Sequence, residues 1–236
     1  MINIFPAITN TIGILGGMGP GAGAFMLQTT INLAQTEFQA VQDTDYPPIL
    51  LYSLPLHGFN ETGITDGPLV LQQLTVGLQV LAGGGASVIA MACNSVHVFF
   101  HQLQQTTAVP LVNMVTETAA AAAGHHTVGV LCSRTTNQRQ LDPMALDALR
   151  VQSISASADQ QHQIDQAILH VMAGTVTPTD SASLSAIIQG MAAAGATAVI
   201  LGCTELPLIP LGPQPVPLID AVTVTAGAVL KKVYQQ

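Results

Sequence analysis

The chain has 236 residues, 49% of them apolar and only 8% charged, a composition that excludes a disordered, highly charged segment and supplies a large interior. Five Lys plus Arg stand against 13 Asp plus Glu, a net charge of -8, so no basic surface exists to neutralise nucleic acid or an anionic membrane, and neither is an expected partner. No basic-then-apolar leader and no uninterrupted apolar run of about 18 residues is found, and three cysteines make a poor disulfide framework, so the expectation is a cytoplasmic protein with free thiols.

Short β-branched runs that end in Gly or small polar residues alternate with Ala-, Leu- and Gln-rich stretches of helical character, the βαβ pattern of a parallel sheet. In chain order the pattern predicts a strand over 11–15, a helix over 21–38, a strand over 49–54, a helix over 67–83, a strand over 86–92 and a helix over 95–105. A strand over 109–113, a helix over 114–124, a strand over 127–132, a helix over 137–148 and a strand over 151–155 follow. Helices over 160–174 and 180–194, strands over 196–202 and 216–219, and a helix over 221–234 complete the series.

The series repeats. Thr11-Ile12-Gly13-Ile14-Leu15 recurs as Thr127-Val128-Gly129-Val130-Leu131, and Gly85-Ala86-Ser87-Val88-Ile89 recurs as Gly195-Ala196-Thr197-Ala198-Val199. Continued without a gap, the second match sets Cys93 against Cys203 at an offset of 110, and Val109-Pro110-Leu111-Val112 then echoes Val216-Pro217-Leu218-Ile219 at 107. The expectation is an α/β protein of two pseudo-symmetric Rossmann-like lobes with parallel sheets. Residues 1–115 plus 220–236 form the lobe carrying Cys93, and 116–219 the lobe carrying Cys203. Ligands bind beyond the carboxyl ends of strands in such sheets, so both thiols are expected in one cleft between the lobes.

Two opposed thiols suit racemisation, in which a proton leaves one face of a carbon and another arrives on the opposite face. One thiolate abstracts, the other thiol donates, and the roles swap in reverse. A cysteine thiol, ordinarily at about 8.5, falls further beside a helix N-terminus. Cys93 precedes Asn94-Ser95 and a helical run, and Cys203 precedes Thr204-Glu205, so each sulfur is expected beside the free N–H groups of a helix start. Asn94, Ser95 and Thr204 are expected to bring side-chain donors to a substrate carboxylate. Glu205 either orients the thiol, binds the substrate ammonium or simply meets the helix dipole. Cys132 reads as a buried, inert thiol. No pyridoxal site is evident, since the only lysines lie together at 231–232.

With Thr-Ile-Gly-Ile-Leu-Gly-Gly-Met-Gly-Pro at 11–20, Met-Ala-Cys-Asn-Ser at 91–95 and Leu-Gly-Cys-Thr-Glu at 201–205, nearly the whole chain resembles the aspartate/glutamate racemase family, the Gly-Gly-Met-Gly-Pro form being closest to the aspartate racemases. The resemblance implies an isomerase that interconverts L- and D-aspartate, or second to it glutamate, with no cofactor, Cys93 and Cys203 as the acid/base pair, an acidic amino acid as small-molecule partner, and a homodimer. Two family cations are missing. In the loop over 54–62, where the resemblance implies an arginine, the sequence has Asn60, with His57 the nearest basic residue, and a lysine implied in a second-lobe helix is replaced near His162. Arg134, in the strand-end segment Cys132-Ser133-Arg134, is expected to hold a substrate carboxylate instead. Hydantoin racemases and maleate isomerases, related cysteine-dependent enzymes, and a non-catalytic small-ligand binding protein of the same fold are the alternatives.

The remaining signals are weaker. The glycine-rich segment 16–23 matches a dinucleotide fingerprint only from Gly19 onward, and Pro20 removes one N–H, so its backbone is expected to approach a small carboxylate, with Met18 lining the cleft. Cys93, His97 and His101 have a four-residue spacing that a helix would aim at a metal, but Cys93 precedes the helix and no carboxylate stands nearby, so no metal is expected. Asn113 and Asp220 read as N-caps.

Overall fold

The computed structural model describes residues 10–60 and 63–234; residues 1–9, on which the expectation about a leader falls, Glu61 and Thr62 of the loop over 54–62, and residues 235–236 lie outside the described residues. Residues 11–121 form β1 (Thr11–Gly16), α1 (Pro20–Phe38), β2 (Ile49–Ser53), the hairpin strands β3 (Phe59–Asn60) and β4 (Gly63–Ile64), α2 (Gly67–Gly83), β5 (Ala86–Met91), α3 (Phe100–Gln104), β6 (Leu111–Val112) and α4 (Met114–Ala121). The chain continues through β7 (Thr127–Cys132), α5 (Arg134–Gln138), α6 (Leu141–Ala148), β8 (Gln152–Ser155), α7 (Ala158–Ala173), α8 (Pro178–Ala193), β9 (Ala198–Gly202), β10 (Leu218–Asp220) and α9 (Ala221–Tyr234). Two four-stranded sheets result, ordered β2-β1-β5-β6 and β8-β7-β9-β10, with parallel pairing throughout. The second order repeats the first strand for strand, so the sequence repeat is the repeat of the fold, and the two-lobed α/β architecture is as expected.

Each sheet is covered on both faces, which is why its strands read as continuous apolar runs. In the first sheet Ile12, Ile14, Val88 and Ala90 face α1 and α9, where Met26, Ala34, Val222, Val229 and Leu230 meet them. Leu15, Ile89 and Met91 point the other way, onto Val70, Leu74, Leu78 and Leu81, the helically spaced stripe of α2. The second sheet repeats the scheme: Leu131, Val199 and Leu201 pack on α7 and α8, while Val128, Val130 and Ile200 pack on Ala119 and Ala122 of the α4 segment and on Leu146 of α6. Thus α4 follows the last strand of the first sheet yet covers the second, α9 does the reverse, and the two helices pack on each other. Asn113 caps α4 through Val115 and Thr116, and Asp220 caps α9 through Val222, as the sequence implied.

Three local differences from the sequence expectation matter. Residues 95–105 divide into a 3-10 turn, Ser95–Phe99, and the short α3, because the His97 ring bonds back to the carbonyl of Cys93 in the loop after β5. The expected helix over 137–148 is two helices, α5 and α6, broken at Gln140 in the left-handed region with φ 54°. The β3–β4 hairpin was not expected; it has no counterpart in the second lobe, where α7 stands between the equivalent strands. Among the described residues no helix is long and apolar enough to cross a membrane.

Candidate active site

Strand alternation sets the direction of both sulfurs. Ile89, Met91 and Cys93 share one face of the first sheet, and Val199, Leu201 and Cys203 share the equivalent face of the second. Each cysteine lies just past the carboxyl end of its strand, only 4% and 6% exposed, and both line one cleft. Met18, Asn60, Asn94, Ser95, Thr204 and Glu205, all expected from the sequence, line the same cleft, joined by Phe59, Ser133 and Ile168.

Around Cys203 the dominant group is an acid. The Sγ–H donates to Glu205 Oε2 at 3.1 Å, the Thr204 hydroxyl donates to the same oxygen at 3.1 Å, and the Gly19 N–H donates to Oε1 at 3.3 Å. Burial, and then the Glu205 charge, push the Cys203 thiol well above its ordinary range. Burial also raises Glu205, against the hydrogen bonds from Cys203, Gly19 and Thr204. The expected acidic thiol beside a helix start is therefore corrected: the following helix is one 3-10 turn, Leu206–Leu208, and the near charge is a carboxylate. The geometry gives a protonated thiol hydrogen-bonded to a carboxyl group.

Beside Cys93 stands the His97 imidazole. The His97 Nε2 accepts the Met114 N–H at 3.1 Å, and a backbone N–H can only donate, so Nδ1 carries the proton and donates to the Cys93 carbonyl at 2.9 Å. Burial pulls His97 down to about 4, which keeps it uncharged. With both ring nitrogens engaged, His97 is a strut between the Cys93 loop and α4, and the metal arrangement of Cys93, His97 and His101 does not form. Among the described residues no group of three His, Cys, Asp or Glu is placed to hold a metal.

The donors expected for a carboxylate are already engaged. Asn94 Nδ2 reaches into the second lobe, donating to Gly202 O at 2.8 Å and Asp142 Oδ2 at 3.1 Å. Its Oδ1 is buried and has no hydrogen-bond partner among the described residues, so Asn94 offers the cleft an acceptor. Asp142, buried behind it, is pushed up to about 7. Ser95 Oγ lies 2.7 Å from Ser133 Oγ and 3.2 Å from Thr136 Oγ1, a hydroxyl cluster that bridges the lobes. Gly19, expected to present its N–H to a ligand, gives it to Glu205 instead.

Arg134 is not brought to the cleft. Its Nη2 stands 2.7 Å and its Nε 2.8 Å from Asp165 Oδ2, and it borders a separate depression with Asn137 and Gln161. His162 is exposed. Of the lining residues that sequence reasoning missed, Ser133 could have been found, since it directly follows β7 as Gly17 follows β1. Phe59 and Ile168 come from the hairpin and α7, the unrepeated parts of the lobes, and carried no signal.

A family profile described as Asp/Glu/Hydantoin racemase matches residues 15–229. The chain is 34% identical over 107 residues to the broad specificity amino-acid racemase RacX of Bacillus subtilis (strain 168), a match spanning 45% of this chain and 47% of that protein, about half its length. In fold it is similar to the aspartate racemase of Picrophilus torridus, with a TM-score of 0.79 at 22% identity over 95% of this chain and 94% of that one. A glutamate racemase of Bacillus anthracis superposes with a TM-score of 0.66 at 18% identity over 96% of this chain and 82% of its own.

Proposed function

The chain belongs to the Asp/Glu/hydantoin racemase family, and on that premise we propose that it racemises an α-amino acid without a cofactor, using Cys93 and Cys203 as the two acid/base groups. The observation that carries the reading is the pair of buried cysteines, at equivalent strand ends of two repeated sheets, lining one cleft. In one direction the Glu205 carboxylate takes the Cys203 thiol proton, the thiolate removes the substrate α-proton, and the Cys93 thiol protonates the opposite face of the carbanion. In the other direction a Cys93 thiolate abstracts and Cys203 donates. Asn94 Oδ1, a buried acceptor, suits the α-ammonium. The description of the Bacillus subtilis relative as an amino-acid racemase of broad specificity supports the same reaction class. The aspartate implied by the sequence resemblance would set a second carboxylate in a cleft whose described lining holds no Lys, Arg or His. A cytoplasmic homodimer with free thiols is part of the same proposal.

The test is incubation of the purified protein in deuterium oxide with a panel of L-amino acids that includes aspartate and glutamate, following α-proton exchange and chirality together. Exchange with inversion, lost on replacing either Cys93 or Cys203 by Ser, is expected. Absence of exchange across the panel would overturn the racemase reading and favour ligand binding or a hydantoin or maleate substrate.

A further inference from the structure

We propose, resting on the two-thiol reading above, that the cleft takes amino acids whose side chain is uncharged and largely apolar, in preference to aspartate or glutamate, with Ile168 as a specificity-determining residue. No cation of the chain stands where it could meet a substrate side chain. The chain has five Lys plus Arg, and the structure accounts for each. Arg134 is held by Asp165. Arg139 is exposed at the end of α5, and Arg150 is exposed at the amino-terminal edge of the second sheet, just before β8, opposite the edge where the cysteines stand. Lys231 and Lys232 are exposed in the last turn of α9, which begins at the carboxyl end of β10 and so carries them away from that edge. None of the seven histidines borders the cleft.

Among the described residues, what does border it is apolar or neutral, with one acid. Met18, Phe59 and Ile168 form the apolar part of the wall, and Glu205 is the one carboxyl group of the described lining. A substrate with a side-chain carboxylate would bury that charge with no Lys or Arg beside it, an arrangement that desolvation opposes. An aliphatic side chain against the same wall is instead removed from water, which is favourable. The α-carboxylate and α-ammonium are common to every amino acid and do not discriminate. The side-chain wall does, and Ile168, buried on α7, is its second-lobe contribution.

The closing experiment measures kcat and KM for α-proton exchange in deuterium oxide with L-alanine, L-leucine, L-methionine, L-aspartate and L-glutamate, for wild type and for Ile168→Lys. Wild type is expected to favour at least one neutral amino acid over both acidic ones by about tenfold or more in kcat/KM. Ile168→Lys, by placing an ammonium in the wall, is expected to lower KM for aspartate or glutamate and raise it for leucine and methionine. Should that buried substitution not fold, Phe59→Lys on the half-exposed hairpin makes the same test. Wild type preferring aspartate or glutamate, with activity lost in the cysteine variants, would overturn the specificity and leave the racemase reading standing. No exchange with any of these amino acids would overturn both.

Discussion

The two lobes share a backbone plan and differ in what surrounds the sulfur. In the first lobe Cys93 is set by a neutral frame: the His97 strut, the Asn94 amide and the Ser95 hydroxyl cluster. In the second, Cys203 is in contact with a carboxylate that also gathers the Thr204 hydroxyl and the Gly19 N–H. Repetition of the fold places the two sulfurs at equivalent strand ends, while the residues one or two positions beyond each cysteine give them unlike surroundings. A symmetrical scaffold can therefore set two thiols in different settings, which is what the proposed two-base reaction asks of them.

The largest expected effect removes the pair: Cys93→Ser or Cys203→Ser should each lower the rate of racemisation by about a thousandfold or more, measured by polarimetry or chiral chromatography. Equal residual activity in one of them would show that the lobes do not share the reaction. Next, Glu205→Gln keeps an oxygen that can accept the thiol hydrogen bond and loses the base. It should lower kcat by roughly ten- to a hundredfold, mainly in the direction that begins at Cys203, and flatten the rise of kcat/KM with pH that deprotonation of Glu205 gives the wild type. An equal effect in both directions would put Glu205 outside the asymmetry.

A smaller effect concerns stability. His97 is pulled from 6.5 to about 4, so the unfolded chain binds its proton first and this group's contribution to stability is lost as pH falls from 6.5 towards 4. Asp142 is pushed from 3.8 to about 7, so the folded chain holds its proton longer and this group's contribution is lost as pH rises from about 4 to 7. Over the shared interval the two slopes oppose one another. Asp142→Asn should therefore make stability climb with pH, by at most about 1.4 kcal/mol per unit, and His97→Gln should make it fall, as read by urea unfolding across pH 4 to 7. The smallest change is Ser157→Ala at the capping box of α7, expected to lower stability by about 1 kcal/mol in thermal or urea unfolding.

Much of this is legible in the sequence. The strand alternation that buries Ile89, Met91 and Cys93 on one face is written in the sequence, and so is its copy at Val199, Leu201 and Cys203. What could not be read were contacts between lobes, since nothing in the order of residues says that Asn94 meets Gly202 and Asp142, or that Arg134 lies against Asp165 rather than in the cleft. The wall residues Phe59 and Ile168 escaped for a related reason: each lies in the part of its lobe that has no counterpart in the other. The basicity of Cys203 was misjudged because a helix start was inferred where one 3-10 turn and an acid stand.

The exchange of α4 and α9 between the sheets bears on how the molecule is assembled during synthesis. From Met114 to Asp220 the second lobe is one continuous stretch that already includes the helices covering both of its faces. The first sheet, made earlier, keeps Ile12, Ile14, Val88 and Ala90 uncovered by their carboxyl-side helix until Ala221–Tyr234 leaves the ribosome. The younger half of the chain is thus free to close before the older one, and the cleft gains its first thiol in place only when the last helix docks.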